Sequence, residues 1–210
     1  MSAITQLSDL PPKAFSKQDS SSDVAFYAMP RMVAHIDEGA IAALTAFYSE
    51  MLRPGMRVLD LMSSRYSHLP PALEGELHVT GHGMNRAELE ANPALDAVHV
   101  QNLNESPALP FEAGRFDAAL CCVSVQYLQD PVAVFREVRR TLKEGAPFVA
   151  SFSNRCFPTK AIALWHALNG EGHAQYVGMA MREAGFAEVE ALALVPEGGP
   201  TDPLWAVVGR

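Results

Sequence analysis

The chain has 210 residues, of which 49% are hydrophobic and 19% charged, and a formal net charge of −8. This length suits one domain with a sizeable core, and the negative charge argues against a general nucleic-acid-binding protein, whose contact surface is basic. We find no signal-peptide pattern and no apolar run long enough to span a bilayer, so we expect a cytoplasmic protein.

The first 25 residues are polar and carry Pro11-Pro12 and a run of three serines, Ser20 to Ser22. We expect a flexible arm over residues 1–25 and one domain over residues 26–210. Within that domain, Pro30 is a candidate for the first turn of a helix.

The apolar spacing from Ala40 to Met51 predicts a helix that ends before Pro54-Gly55. Just upstream, Phe26 and Tyr27 have two interpretations that the sequence leaves open. They either pack on this helix or form a lid over a cleft.

The stretch that organises the chain is R-V-L-D-L-M-S-S-R-Y-S-H-L-P, residues 57–70. Its short apolar run around Asp60 predicts a buried parallel strand, and the strand ends in a loop of small residues at Ser63 and Ser64. In doubly wound α/β proteins, the first strand-to-helix turn holds a nucleotide-like cofactor, and small residues let the backbone approach it. Serines stand here where such loops usually carry glycine.

Further segments alternate between strand and helix patterns. Strands are predicted over 77–83, 98–100 and 147–152, and a turn followed by a strand over 109–125. Helices are predicted over 87–91, 131–143, 160–168 and 172–184. The last two strands, 187–195 and 204–208, are separated by a Gly-Pro loop and predict an antiparallel pair. We therefore expect a single α/β domain with a seven-stranded, mostly parallel sheet, an antiparallel last strand and helices on both faces.

The three cysteines, Cys121, Cys122 and Cys156, lack the spacing of a zinc site or a disulfide framework. We interpret them as reduced core residues. The histidines at 78, 82 and 99 also lack ligand spacing, so we predict no metal site.

Three motifs in order carry a family resemblance: V-L-D-L (58–61), L-P-F-E-A-G-R-F-D (109–117) and the helix from Pro131 to Lys143. Together they resemble the Rossmann-like class I S-adenosylmethionine-dependent methyltransferases, in particular the quinone-biosynthesis branch. P-R-M-V-A-H-I-D and L-M-S-S-R-Y-S-H-L-P are similar to an uncharacterised subfamily with a Ser-rich first loop.

The resemblance implies S-adenosyl-L-methionine as cofactor and a small molecule as methyl acceptor. The expected acid for the ribose hydroxyls falls at Asn85, a neutral amide that makes a weaker hydrogen bond. The implied cofactor residues are Tyr27, Asp60, Leu61, Met62, Ser63, Ser64, Met84, Asn85, Asn102, Leu103, Ser124, Val125 and Gln126.

Methyl transfer depends on alignment of nucleophile, methyl group and sulfur, and it needs a general base only when the nucleophile must lose a proton. His35 and His68 are candidate bases; the alternative interpretation of each is a surface or capping histidine. For the substrate, the polar loop after the fifth strand and the first loop supply candidates, and Arg155 and Lys160 are cations suited to an acidic group. The substrate candidates are Arg65, Asn154, Arg155, Phe157 and Lys160.

Two other functions compete with a methyltransferase. The altered loop and Asn85 fit a cofactor-binding or regulatory protein that has lost turnover. A nicotinamide-dependent oxidoreductase is disfavoured, because no G-x-G-x-x-G follows the first strand. The sequence fixes neither the acceptor nor the oligomeric state.

Overall fold

The strands form one sheet whose order sets the place of the cleft. The structure, a computed structural model, describes residues 6–210. The strand order is β3-β2-β1-β4-β5-β7-β6. The strands are β1 (Arg57–Asp60), β2 (His78–Gly83), β3 (Ala97–Val100), β4 (Ala118–Cys122), β5 (Phe148–Ser153), β6 (Val189–Val195) and β7 (Leu204–Gly209). The chain runs outward from β1 to β3 and then restarts at β4 on the other side, so strand order reverses between β1 and β4.

Strands β1 to β5 are mutually parallel, whereas β7 is antiparallel to both β5 and β6. Helical or long connections separate the parallel strands, as a crossover requires. The short loop between β6 and β7 permits only an antiparallel pair. The predicted mostly parallel sheet with an antiparallel last strand is confirmed.

Six α-helices accompany the sheet in the described residues. They are α1 (Asp23–Tyr27), α2 (Glu38–Met51), α3 (Arg86–Glu90), α4 (Pro131–Thr141), α5 (Ala163–His166) and α6 (Gly170–Glu183). Asp130 caps α4 by accepting the Ala133 N–H, with Pro131 at the first helical position. The prediction that Pro30 begins a helix is wrong. Asp37 supplies the capping oxygen instead, and α2 begins after it.

The sheet buries its two faces against different helices. Leu59 faces a core with α4 and α6, and its neighbour Val58 faces a core with α2, because successive strand side chains point to opposite faces. Phe135 of α4 and Leu44 of α2 are fully buried in these two layers. Each such side chain stabilises the fold by about 1.5–3 kcal/mol. Helices on both faces are therefore confirmed.

The described part of the arm, residues 6–25, packs against the domain. It contains two 3₁₀ turns, Leu7–Asp9 and Pro12–Phe15, and Leu7 is buried in the core. Lys17 forms an antiparallel bridge with Ile162. The flexibility of the arm and the domain boundary at residue 25 stay predictions.

All three cysteines are free, and burial raises the pKa of the Cys122 thiol to about 12. Over residues 6–210, no helix is both long and apolar enough to cross a membrane. The same residues contain no cluster of His, Cys, Asp and Glu that could hold a metal ion.

Candidate functional site

A cavity of about 460 Å³ opens at the carboxyl edge of the sheet, where strand order reverses. Its wall includes Asp60 at the end of β1, Gly83 at the end of β2 and Cys122 at the end of β4. Open α/β sheets bind their ligands in this crevice. The volume lies within the range of small-molecule and cofactor sites.

The loop after β1 is pressed against the end of β2. The Ser63 N–H donates to the His82 carbonyl at 2.6 Å, and Met62 has a left-handed φ of 55°. A Cβ atom placed on Gly83 would lie 2.4 Å from the Ser63 carbonyl oxygen. The loop itself contains no glycine. Gly83 of the neighbouring strand has no side chain, and this allows the backbones of the loop and of β2 to lie in contact.

Asp60 is a buried carboxyl group in the cavity wall. The hydroxyls of Ser63 and Ser67 each donate to its Oδ2 at 2.6 Å, and Asn92 in turn donates to Ser67 Oγ. Burial raises the pKa of Asp60 to about 6, although the two serine hydrogen bonds favour the ionised form. At neutral pH the wall therefore carries a negative charge here.

A second carboxylate, Glu88, faces the cavity near the end of β2. Ser64 Oγ donates to one of its oxygens, and the Arg31 N–H donates to the other at 2.6 Å. Asn85 stands at the position expected for the ribose acid, but its hydrogen bonds are already used. Its Nδ2 donates to the Tyr27 carbonyl at 2.8 Å, and its Oδ1 caps α3.

An aromatic cluster with one cation roofs the cavity. The Arg31 guanidinium lies 4.6 Å from the Phe26 ring centroid and 5.0 Å from that of Phe157, and Tyr27 and Phe157 both line the cavity. Cation–π contacts of this kind hold the guanidinium in place. Of the two interpretations of Phe26 and Tyr27, this position fits a lid over the cleft.

Two histidines, His35 and His68, also line the cavity. Burial lowers the pKa of His35, and burial with the nearby His35 lowers the pKa of His68 to about 4. Both rings are therefore neutral at pH 7, and each can accept a proton.

His82 brings an unpartnered ring nitrogen to the cavity wall. It is 1% exposed, and its Nδ1 accepts the Met62 N–H, which leaves the proton on Nε2. No described residue accepts a hydrogen bond from Nε2. A buried donor without a partner is uncommon in proteins, and a ligand in the cavity would supply the acceptor.

Comparisons with known proteins agree with this geometry. The sequence model of the family described as Methyltransferase domain matches residues 74–150. A putative methyltransferase of Haloferax volcanii, solved with its Trm112 activator, superimposes with a TM-score of 0.58 at 18% identity, over 82% of this chain and 90% of that one. This chain has the class I methyltransferase fold. The predicted resemblance is confirmed at this level, and the Ser-rich subfamily stays a prediction.

Two further proteins are similar to this methyltransferase-fold chain, one in structure and one in sequence. Geranyl diphosphate C-methyltransferase from Streptomyces coelicolor, solved with S-adenosyl-L-homocysteine, has a TM-score of 0.56 at 14% identity, covering 88% of this chain and 94% of that one. An uncharacterized protein of Mycobacterium tuberculosis is 26% identical over 175 residues, covering 80% of this chain. The chain spans 56% of that relative's length.

Most residues that the methyltransferase resemblance implied for the cofactor lie together in the cavity wall. These are Tyr27, Asp60, Met62, Ser63, Ser64, Met84, Asn85, Asn102, Leu103 and Ser124. They come from five separate segments of the chain, which the parallel sheet brings to one edge. Their contact with a cofactor stays a prediction.

The remaining implied residues lie outside the cavity wall. Leu61 and Val125 are fully buried in the core on the α4 side. Gln126 is fully buried too, and its Nε2 donates to the Val123 carbonyl at 2.8 Å. Leu61 points away because it follows Asp60 and side chains alternate along a strand.

Of the substrate candidates, Arg155 and Phe157 line the cavity, whereas Arg65 does not. Asn154 lines a second cavity on the other side of its loop. Lys160 is fully buried beneath the arm, 3.3 Å from carboxylate oxygens of Asp19 and Asp23.

Among the wall residues that sequence reasoning missed are Arg31, His82 and Glu88. One local signal existed for Glu88, because Asn85 followed three residues later by Glu is a capping pattern that marks a helix start. No local pattern indicates that the Glu88 side chain turns to the cavity. His82 sits inside a strand, and its unpartnered nitrogen is visible only in three dimensions.

Proposed function

We propose that this chain binds S-adenosyl-L-methionine in the 460 Å³ cavity and transfers its methyl group to a small molecule. The observation that carries the proposal is the position of that cavity, at the strand-order reversal of a class I methyltransferase fold, with the β1 loop forming its wall. The family match and the superposed structures support it.

The charges and hydrogen-bonding groups of the cavity fit this cofactor. S-adenosyl-L-methionine carries a sulfonium and an ammonium group, and two carboxylates, Asp60 and Glu88, face the cavity. Opposite charges attract each other more strongly in a cavity from which water is excluded than in bulk water. The unpartnered His82 Nε2 adds one buried donor for an acceptor atom of the ligand.

The cofactor, when bound, supplies an electrophilic methyl group on sulfur. Backbone and hydroxyl groups of Met62, Ser63 and Ser64 would face its methionine part. Asn102 and Leu103 would flank its base. Because Asn85 is committed to α3 and to the Tyr27 carbonyl, we assign the ribose end to Glu88.

His68 and His35 are the candidate proton acceptors. Both line the cavity, and both are neutral at pH 7 because burial lowers their pKa values. A neutral imidazole can take the proton of an acceptor hydroxyl or amine during attack on the methyl group. His68 is further fixed by Thr45, whose hydroxyl donates to its carbonyl at 3.0 Å.

The substrate that fits this cavity is not strongly acidic. The Arg155 Nε donates to both carboxylate oxygens of Asp202 at 3.0 Å, and Lys160 is buried with Asp19 and Asp23. The charge of each predicted cation is already balanced by a carboxylate, which weakens its attraction for a carboxylate or phosphate of a substrate. We therefore propose an uncharged or weakly charged methyl acceptor.

Calorimetric titration with S-adenosyl-L-homocysteine tests the cofactor assignment. We expect saturable binding to the wild-type chain and none to Ser63→Trp, whose indole would fill the space beside the β1 loop. Ser49→Trp is the matched control, since Ser49 is exposed on α2. Equal affinity in wild type and Ser63→Trp, or binding of NAD instead, would contradict the proposal.

Turnover separates an enzyme from a cofactor-binding protein on the same fold. The comparisons with known proteins do not favour a non-catalytic cofactor-binding protein. Release of S-adenosyl-L-homocysteine with a panel of small hydroxylated acceptors is the direct assay. Binding without release for every acceptor, and in cell extract, would favour the non-catalytic alternative.

A further inference from the structure

A second cavity of about 700 Å³ lies beside the first, at the same edge of the sheet. It is enclosed by the loop after β5, the beginning of α6 and the loop between β6 and β7. Cys156 and Asp202 line both cavities, so the two share a wall. A molecule that reached from one to the other would place one end near the cofactor site.

An unpartnered indole points to a ligand in this second cavity. Trp205 lines it, and its Nε1 atom is buried and has no hydrogen-bond partner among the described residues. The indole N–H can only donate. A buried donor without a partner destabilises the protein, so a group with an acceptor atom is expected there.

An unpaired acceptor stands next to this donor. The Glu197 carboxylate is exposed and lines the same cavity. It interacts electrostatically with His173 of that cavity, but it accepts no hydrogen bond from the residues that the structure describes. A Cβ atom built on Gly170 would lie 2.4 Å from Glu197 Oε1 and 2.5 Å from Trp205 Nε1. Because Gly170 has no side chain, Glu197 Oε1 and Trp205 Nε1 converge over it at the cavity wall.

The pairing of these two groups selects the chemistry of the ligand. A hydroxyl group accepts from the Trp205 N–H and donates to the Glu197 carboxylate through one oxygen atom. An ammonium group would satisfy Glu197 but leave Trp205 unpaired, because it cannot accept. A phosphate or carboxylate would be repelled by Glu197, and the guanidinium of Arg155, on the loop after β5, is already paired with Asp202.

The amides of Asn154 and Asn169 extend the same pattern around the cavity, because each amide both donates and accepts. We propose that the second cavity binds a hydroxyl-rich group, such as a sugar or another polyol, between Trp205 and Glu197. The further assignment of this group to the far end of the methyl acceptor rests on the proposed function, whereas the binding itself does not.

The fluorescence of tryptophan reports this site directly. The chain has two tryptophans, Trp165 and Trp205, and both line the second cavity. We would titrate the full chain with myo-inositol, tetramethylammonium chloride and inorganic phosphate at matched ionic strength. A saturable change with myo-inositol alone is expected.

Two variants test the position of the site. Gly170→Ala places a methyl group 2.4 Å from Glu197 Oε1 and 2.5 Å from Trp205 Nε1 and therefore displaces both groups. Glu197→Gln removes the charge while keeping the shape. We expect the inositol response to be lost in the first and about tenfold weaker in the second. Gly178→Ala on the same helix is the matched control, because its Cβ would meet its nearest atoms at ordinary contact distances of 3.4 and 3.5 Å.

Three outcomes of these titrations would contradict the proposed polyol site. An unchanged response in Gly170→Ala, saturation by tetramethylammonium or phosphate instead, or no saturable change with any probe would overturn the proposal. The last outcome would mean that water alone satisfies Trp205. Calorimetry with S-adenosyl-L-homocysteine in the same samples is independent. Cofactor binding without an inositol response defeats only this inference, and an inositol response without cofactor binding defeats only the proposed function.

Discussion

The carboxylates of Asp37 and Asp202 each accept a hydrogen bond from the backbone N–H of the other residue. The Asp37 N–H donates to the Asp202 carboxylate at 3.0 Å, and the Asp202 N–H donates to the Asp37 carboxylate at 2.7 Å. Both residues line the first cavity. This reciprocal pair joins the segment before α2, which roofs the cavity, to the loop between β6 and β7, which separates the two cavities.

Replacing Asp37 or Asp202 with alanine should destabilise the segment before α2, and the two replacements should do so by different amounts. Asp202→Ala removes one acceptor of the pair, with an expected loss of about 1 kcal/mol in the free energy of unfolding. Asp37→Ala also removes the cap of α2, where its Oδ1 accepts the Ala40 N–H at 2.9 Å, and should lose about 2 kcal/mol. Urea denaturation measures both values.

Hydrogen exchange locates the effect of these two variants. Faster exchange should appear over residues 28–37 in both, while the strands of the sheet remain protected. A larger loss of stability in Asp202→Ala than in Asp37→Ala would show that the cap contributes less than the pair with Arg155.

The buried Asp60 predicts a pH dependence of stability with a definite sign. Burial raises its pKa from an ordinary value of 3.8 to about 6, so the folded state binds the proton more tightly than the unfolded state. Its contribution to the free energy of unfolding is therefore greatest at low pH and falls as pH rises from about 4 to about 6. In Asp60→Asn this fall should disappear.

We would measure the free energy of unfolding of wild type and of Asp60→Asn across that pH range and take the difference. The contributions of the titratable groups that both proteins share cancel in this difference. Affinity for the positively charged cofactor should change in the opposite direction. It should rise in wild type as Asp60 ionises near pH 6 and stay flat in the variant. A parallel pH dependence in the two proteins would show that Asp60 is not the titrating group.

Much of the fold was predictable because its signals are local. The apolar run ending at Asp60 identifies β1, and Asp130-Pro131 with the spacing after it identifies α4. The burial of Lys160 was not predictable. Its Nζ contacts the Ser21 carbonyl at 2.7 Å, a residue 139 positions away, and the lysine itself stands in a polar loop that looks exposed. The cavity wall was predicted where family spacing applies. It was missed at Arg31, whose guanidinium contacts both the neighbouring Phe26 and the distant Phe157.

Gly83→Ala should displace the loop after β1. The new Cβ would lie 2.4 Å from the Ser63 carbonyl oxygen, a backbone atom that cannot rotate away. We expect a loss of about 1–3 kcal/mol in the free energy of unfolding and a large loss of affinity for S-adenosyl-L-homocysteine. Gly199→Ala is the control, because its Cβ would meet nothing within 4 Å. Unchanged cofactor affinity in Gly83→Ala would place the binding site away from this loop.

Lys160→Met tests how the arm is held on the domain. The Lys160 ammonium is fully buried, 3.3 Å from carboxylate oxygens of both Asp19 and Asp23, and removing one member of a buried ion pair costs about 3–5 kcal/mol. Asp23 keeps its ion pair with Lys17 at 2.6 Å, so we expect a loss near the lower end of that range. Lys143→Met is the matched control. Lys143 pairs with Asp117 with 54% of its side chain exposed, and this pair is worth at most about 1 kcal/mol.

Limited proteolysis then distinguishes local release from global unfolding. Because Asp23 also begins α1, which carries Tyr27 of the cavity roof, release of the arm should weaken cofactor binding as well as expose residues 6–23 to protease. Cleavage confined to those residues, with the rest of the domain intact, is the expected pattern. Equal resistance of Lys160→Met and Lys143→Met would show that the arm is held mainly by its apolar contacts, such as that of Leu7 in the core.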